Sequence, residues 1–337
     1  MIVDASSWTE LEKGLAAGTT RRRLIPTSPH DLFLAVRHPS RQRMLTLRVD
    51  QTVARWLARR LTQPPTMTQG IELVLSEPPG ARELQLRLRV AGLADVFDVL
   101  VSDVATAAAK STTADQAAVA MVEQHDRWIE LLRSLGTEGL SPQARRGLFG
   151  ELSLLRRLLR SGAHDEVVAR SWVGPNRANQ DFQLPDTAIE VKTSAGREPQ
   201  HLVVASERQL DPSSCGTLLL CHLLIDERRG GDGATLNEQV EAVRSDFTST
   251  SARGEFNASL IRVGFLADHA NLYDDLRYRV RRELTWRVAG AFPRLVENDL
   301  RNGVGSCSYQ ISTAGLDDYL VSDADFQSLV AQGGTGG

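Results

Sequence analysis

Apolar and polar residues alternate with a period of two through LFLAVRH (32–38), MLTLRVD (44–50), GIELVLSE (70–77) and ELQLRLRVAG (83–92). Alternation of this kind gives a segment one apolar and one polar face, and it predicts strands. Proline pairs at Pro64-Pro65 and Pro78-Pro79 punctuate the run. A mostly antiparallel β domain is therefore expected over residues 1–112, ending near VFDVLVSDVATAAAK (96–110).

The period then changes. From Thr113 to about Leu135, Ala117, Met121, Ile129 and Leu132 fall at helical spacing, so 113–140 reads as a helical connector closed by a loop with Gly136 and Gly139. Ser141-Pro142 has the form of an N-cap and first-turn proline, opening a second helix to about Ser161. Beyond Gly162 the strand candidates are EVVARSWV, DFQL, AIEVKTS, HLVVAS and TLLLCHLLID, and a Gly-rich loop at 230–233 follows. A helix over 236–246 and a strand at SLIRVGFL come next. This order predicts an α/β (α+β) core over 141–270, a mixed central sheet flanked by helices. A β-rich extension, 271–330, packs on it, with Tyr278, Val280, Leu284, Trp286 and Val288 on one face and Arg279, Arg281 and Arg287 on the other. The terminal GGTGG is expected to fray.

With 337 residues the chain can form two or three domains, and its 42% hydrophobic and 24% charged residues set aside disordered and fibrous classes. Cys215, Cys221 and Cys307 have neither a disulfide framework nor C-x-x-C spacing and read as buried small hydrophobes. No apolar run is long enough to span a bilayer, and MIVDASSWTELEKG lacks signal-peptide character, so a cytoplasmic protein without membrane contact is expected. The net charge of −3 argues against coating nucleic acid by bulk electrostatics. Arginine clusters at 21–60 and 277–287 could still contact phosphate, or could simply form solvated faces. Only Lys13, Lys110 and Lys192 are lysines among 39 basic residues, which gives Lys192 added weight.

Lys192 lies in the segment richest in chemistry. A turn centred on Pro185-Asp186 pairs Leu184 with Thr187, and the same register places Asp181 opposite Glu190. Cross-strand partners have Cβ atoms about 4.5–5.5 Å apart, so the two carboxylates can share a hard cation. Glu190 and Lys192 then face one way and Ile189, Val191 and Thr193 the other. Two acids and an ammonium on one spot suit metal-assisted phosphodiester hydrolysis; a salt-bridged surface hairpin is the bland alternative. Glu151 borders the apolar stripe Leu148, Leu152, Leu155 and Leu159, and either joins this site or pairs with Arg145 or Arg146. Gly147 and Gly150 would allow close approach to a neighbouring element. The histidines lack metal-ligand spacing, Gly230-Gly231-Asp232-Gly233 lacks the lysine of a phosphate loop, and no G-x-S-x-G elbow occurs.

A helix acid, an Asp on the next strand, a hairpin turn and Glu-x-Lys together resemble the PD-(D/E)XK nuclease superfamily. More narrowly, GLFGELSLLRRLL, SWVGPNRANQDFQL, AIEVKTS and ASERQLD resemble bacterial PD-(D/E)XK motif proteins encoded beside restriction or phage-defence genes. The resemblance implies a restriction-endonuclease-like core, with Asp181, Glu190 and Glu151 as metal ligands for Mg²⁺ or Mn²⁺ and Lys192 as catalytic base or positioner. It also implies DNA as substrate, and a homodimer or a complex with other restriction or defence subunits. Ser206 and Gln209 open what should be the helix after the third strand, where related nucleases contact phosphate; an ordinary N-cap and a solvated Gln are the alternative. Gln180 stands where the superfamily has its proline. A non-catalytic DNA-binding or scaffold subunit and an RNA nuclease remain as rival readings.

Overall fold

The structure is a computed structural model in which residues 3–14, 17–61, 70–78, 80–135, 138–196 and 201–332 are described. Pro64-Pro65, Pro79, Gly136 and the terminal GGTGG lie outside them. The chain divides into two compact units, 1–136 and 137–337.

The first unit is built on five antiparallel strands, β1 (Gly18–Arg23), β2 (Leu32–His38), β3 (Gln42–Arg48), β4 (Ile71–Ser76) and β5 (Glu83–Leu88), in the order β1-β2-β3-β5-β4. Leu32, Leu34, Val36, Leu45, Leu47, Leu84 and Leu86 share the apolar face and are buried. Helix α1 (Gln51–Arg60) packs on β4, helix α2 (Ala94–Ala109) packs on β5, and α3 (Ala114–Leu135) packs along α2. The expectation that 96–110 closes the β module is corrected, because this segment forms α2. Its apolar run exceeds strand length, and Phe97, Leu100, Val101, Val104, Ala105 and Ala108 are buried at helical spacing. Strand β1 and helix α1 were not foreseen, since GTTRRR has no alternation and is almost wholly exposed.

Asp98 of α2 is buried, accepts a 2.7 Å hydrogen bond from Trp8 Nε1, and lies 3.4 Å from Arg43. Burial outweighs these partners and pushes its carboxyl up to about 6. A raised folded-state pKa gives stability that is complete below the unfolded value and lost as pH rises through about 6. Asp98→Asn is therefore expected to flatten this slope and to stabilise the protein at pH 7.5 by about 1–2 kcal/mol after allowance for solvent screening. Urea unfolding of both proteins from pH 4.5 to 8 measures it; parallel stability curves would refute the assignment.

The second unit opens with α4 (Pro142–Arg160), whose N-cap Ser141 accepts from Ala144 N and whose first residue is Pro142, as expected. Strands β6 (Phe182–Gln183), β7 (Thr187–Ala195), β9 (Thr217–Arg229), β10 (Ala234–Thr235) and β11 (Leu276–Arg287) form a mixed sheet in the order β10-β11-β9-β7-β6, with β7 and β9 parallel. Helix α4 lies against β7 and helix α6 (Leu236–Asp246). Strand β8 (His201–Val204) pairs instead with β12 (Tyr309–Ser312) in a separate two-stranded sheet. These two strands help to close an apolar cluster of Ala188, Leu202, Val204, Leu218, Leu220, Trp286 and Ile311. The last helix is α8 (Asp323–Gln332).

Three expectations about this unit are corrected. EVVARSWV forms helix α5 (Asp165–Ser171), whose first turn carries Asp165 and Glu166, acids favoured at a helix N-terminus. SLIRVGFL is the end of helix α7 (Thr250–Arg262) and its cap. Gly264 takes φ 89°, and the amides of Gly264 and Phe265 donate to Ile261 O and Leu260 O, closing the helix with a left-handed glycine. Strand β11 does not keep one face throughout. Val280 pairs with Ile225 and Arg282 with Leu224, so Arg281 is an inserted bulge residue and the alternation reverses there. Tyr278 packs on Phe149 of α4, whereas Trp286 stacks on His222 across the sheet. Of the cysteines, only Cys221 is fully buried.

Candidate active site

Strand β6 pairs with β7 at only two positions, Phe182 with Ile189 and Gln183 with Ala188, and Leu184 N donates to Thr187 O across the turn. Continuing the register puts Asp181 across from Glu190. Because β6 stops there, the Val191 amide has no strand partner on that side, and Asp181 Oδ2 accepts its hydrogen bond at 2.8 Å. The Asp181 carbonyl accepts from Val173 N and Gly174 N, both at 2.9 Å, so the residue is held from both ends.

Glu190 and Lys192 project from the same face of β7, and Lys192 Nζ lies 2.7 Å from Glu190 Oε1. This is no surface pair, since Glu190 is only 1% exposed. Its other oxygen, Oε2, is buried with no hydrogen-bond partner among the described residues. Lys192 Nζ also donates to Gln209 Oε1 at 2.9 Å, and Gln209 Oε1 accepts in addition from Ala205 N at 2.8 Å.

Glu151 completes the cluster. Arg145 reaches backbone carbonyls of Leu140 and Leu272, and Arg146 pairs with Glu227, so neither arginine engages it. Its Oε2 instead accepts from Trp172 Nε1 at 2.8 Å. A methyl placed on Gly174 would lie 3.0 Å from Asp181 Oδ1 and 3.5 Å from Glu151 Oε2, so the two carboxylates flank one glycine.

The electrostatics are those of an over-crowded anionic site. Burial, then repulsion by Asp181, pushes the Glu151 carboxyl up to about 8 despite the Trp172 hydrogen bond and Lys192. Asp181 is raised by burial against the pull of the Val191 amide and Lys192. Glu190 is raised well above the usual carboxylate range, by burial first and Asp181 second. As the side chains stand, no three His, Cys, Asp or Glu groups among the described residues could hold a metal ion together, and Lys192 occupies one Glu190 oxygen. In donor chemistry, though not in the present side-chain arrangement, the set suits a hard divalent cation: three carboxylates, mutual repulsion to relieve, and an orphaned oxygen on Glu190.

Gly150 sets the position of Glu151. A methyl there would lie 1.9 Å from Thr193 Oγ1, so α4 contacts β7 directly at this residue. Gly147, expected to act likewise, has nothing within 4 Å of such a methyl. Gly150→Ala is expected to destabilise the protein by about 1–3 kcal/mol through overpacking, although alanine alone would favour the helix by about 1 kcal/mol. Adding Thr193→Ala should restore most of that loss. Denaturant midpoints of the single and double variants measure it, and an unchanged midpoint for Gly150→Ala would contradict the close contact.

Ser206 and Gln209 lie in a turn and not in a helix after β8. Gln209 N donates to Ser206 O at 3.2 Å, and the Gln209 side chain joins the site through Lys192. No contact of the Ser206 hydroxyl with Lys192 is formed among the described residues. Sequence reasoning missed Trp172 and Gln180. Trp172 orients Glu151, and Gln180 Nε2 donates to Arg208 O at 2.9 Å, anchoring the turn that carries Gln209. Their nearest signal was SWVGPNRANQDFQL, in which both residues stand close to Asp181.

No helix among the described residues is long and apolar enough to cross a membrane. Among known proteins, no curated protein and no solved structure matches the chain. Residues 5–314 match a family model described as "Putative PD-(D/E)XK family member, (DUF4420)". That match covers nearly the whole chain, including the helix acid, the Asp181 hairpin and the Glu-x-Lys strand, and the chain belongs to this PD-(D/E)XK family.

Proposed function

We propose that the protein is a divalent-metal-dependent DNA endonuclease, with Mg²⁺ or Mn²⁺ as cofactor, that serves as the cleaving subunit of a bacterial restriction or phage-defence system. The observation that carries the reading is the buried, unpartnered Oε2 of Glu190 beside Asp181 and Glu151. A buried carboxylate oxygen left without a hydrogen bond costs about 1–3 kcal/mol or more even when the other oxygen is ion-paired, and a structural role would not require it.

Asp181, Glu190 and Glu151 would hold the cation. When bound, it supplies Lewis acidity toward a phosphoryl oxygen and lowers the pKa of an attacking water. Lys192 is held by Glu190 and Gln209 with its ammonium on the carboxylate face, where it can orient that water or offset charge developing on phosphorus. Trp172 keeps Glu151 aimed inward, and the Val191 amide fixes one oxygen of Asp181 while leaving Oδ1 for other partners.

The test is cleavage of supercoiled DNA by the purified protein with candidate partners, in Mg²⁺ or Mn²⁺ against EDTA. Metal-dependent nicking or linearisation is expected, and no cutting under any of these conditions would end the proposal. The Lys192–Glu190 ion pair favours a second reading, a non-catalytic subunit whose lysine permanently neutralises the acid. Calorimetric titration separates the two, because in a retired site Mg²⁺ would bind wild type no better than Glu190→Ala. RNA offered in parallel identifies an RNA nuclease.

A further inference from the structure

The bulge in β11 decides where that strand's arginines go. On β9, His222, Leu224, Asp226 and Arg228 share the face on which β7 presents Glu190, Lys192 and Ser194. Ser194 Oγ and His222 Nε2, 2.7 Å apart, confirm this shared side. Arg279 stands across from Asp226, and the inserted Arg281 turns Arg282 to the same face, across from Leu224. Arg279, Arg281 and Arg228 approach Asp226 at 3.0, 2.9 and 3.7 Å, and Arg281 also donates to Gly196 O. Three guanidinium groups thus gather around one carboxylate, and Arg282 stands beside them on the face that carries the candidate site. All four are exposed.

Stability does not account for this cluster. Exposed ion pairs contribute about 0–1 kcal/mol each, and Asp226 alone cannot balance the three arginines that converge on it. Guanidinium groups are instead suited to phosphate oxygens, which their paired donors can grip two at a time. From His222, level with Lys192, to Asp226 is four residues of strand, about 13 Å at roughly 3.3 Å per residue. Along a duplex that distance corresponds to about four phosphates of one strand at about 3.4 Å of axis each. The other arginine-rich surface, on the sheet of the first unit, is less suited, because Arg21 pairs with Glu83, Arg87 and Arg89 with Glu72, and Arg23 and Arg48 with Asp31.

We propose that Arg228, Arg279, Arg281 and Arg282 form a track that grips the DNA backbone a few nucleotides from the scissile phosphate. The bulge at Arg281 turns Arg282 onto the catalytic face, where Arg228 and Arg279 already stand by their register. This inference rests on the nuclease reading for its substrate, but it is tested through binding alone.

The full-length protein is titrated into a short fluorescent DNA duplex in EDTA, with anisotropy followed at several salt concentrations. Removing two phosphate contacts by Arg279→Ala/Arg282→Ala should lower the slope of log affinity against log salt by about 1.8, at about 0.9 per phosphate. Between about 50 and 200 mM salt the variant should then lose about tenfold less affinity than wild type loses. The charge-matched control Arg170→Ala/Arg301→Ala, at exposed positions outside β9 and β11, should keep the wild-type slope. Asp226→Asn should tighten binding, because it removes the anion that competes with phosphate. The track is refuted if its variant keeps the wild-type slope, if the control loses as much, if wild type binds no duplex, or if the loss appears only with duplex RNA. A protein that cuts DNA but keeps its slope loses the track and retains the nuclease reading. One that binds through the track but never cuts has the opposite outcome.

Discussion

Lys192→Met will reduce metal-dependent DNA cleavage by about a hundred- to a thousandfold, the range seen when a group opposing developing charge is removed. The reason is placement: Lys192 is the cation that meets Glu190 at 2.7 Å and that Gln209 holds from the other side. Its removal also leaves Glu190 buried without its counter-charge, a change that costs about 3–5 kcal/mol when one partner of a buried pair is deleted. The metal-free variant should therefore unfold at lower denaturant, and this has to be separated from the chemistry. Single-turnover cleavage, at a temperature where circular dichroism shows the variant folded, makes that separation. Asp181→Ala is the companion variant, expected to lose cleavage to a similar degree because one carboxylate of the set is gone. Cleavage within about threefold of wild type in either folded variant would rule out the roles assigned to them.

Glu190→Gln is expected to move stability and activity in opposite directions. The wild-type carboxylate is buried with one oxygen unpartnered, and it adds to the repulsion among three acids. An amide of the same shape carries no charge to desolvate and can still accept from Lys192. Metal-free Glu190→Gln should be about 1–3 kcal/mol more stable than wild type and should no longer cleave. Saturating Mg²⁺ should narrow the difference by stabilising wild type alone, since a ligand that binds only the folded state adds stability by mass action. Urea titrations with and without the metal read both effects. A Glu190→Gln protein less stable than wild type without metal would show that the carboxylate is compensated in the fold after all.

Much of the second unit was legible in the chain itself. Ser141-Pro142 specified the start of α4, and Pro185-Asp186 specified a two-residue turn whose register leaves no freedom, because a slip by one would turn every side chain of β7 to the wrong face. The spacing within α4 put Glu151 at the edge of a leucine stripe, and the rarity of lysine singled out Lys192. These are local signals, carried by neighbours in sequence.

What failed had a common cause. VFDVLVSDVATAAAK, EVVARSWV and SLIRVGFL are apolar and rich in valine or isoleucine, so their strand preference was overridden by length, by acids in a first turn, or by a glycine cap. The faces of β11 were misjudged because one inserted residue leaves no mark on the alternation; only pairing with β9 reveals it.

The chain alone therefore determined that an Asp, a Glu and a Lys meet on a hairpin, since strand period and turn length impose this whatever surrounds them. Only the tertiary structure decided that Glu190 is buried with an oxygen unpaired, that Trp172 rather than an arginine holds Glu151, and that arginines join the same face. Burial, partner choice and bulge position depend on what packs against a strand, and those neighbours come from segments tens of residues away.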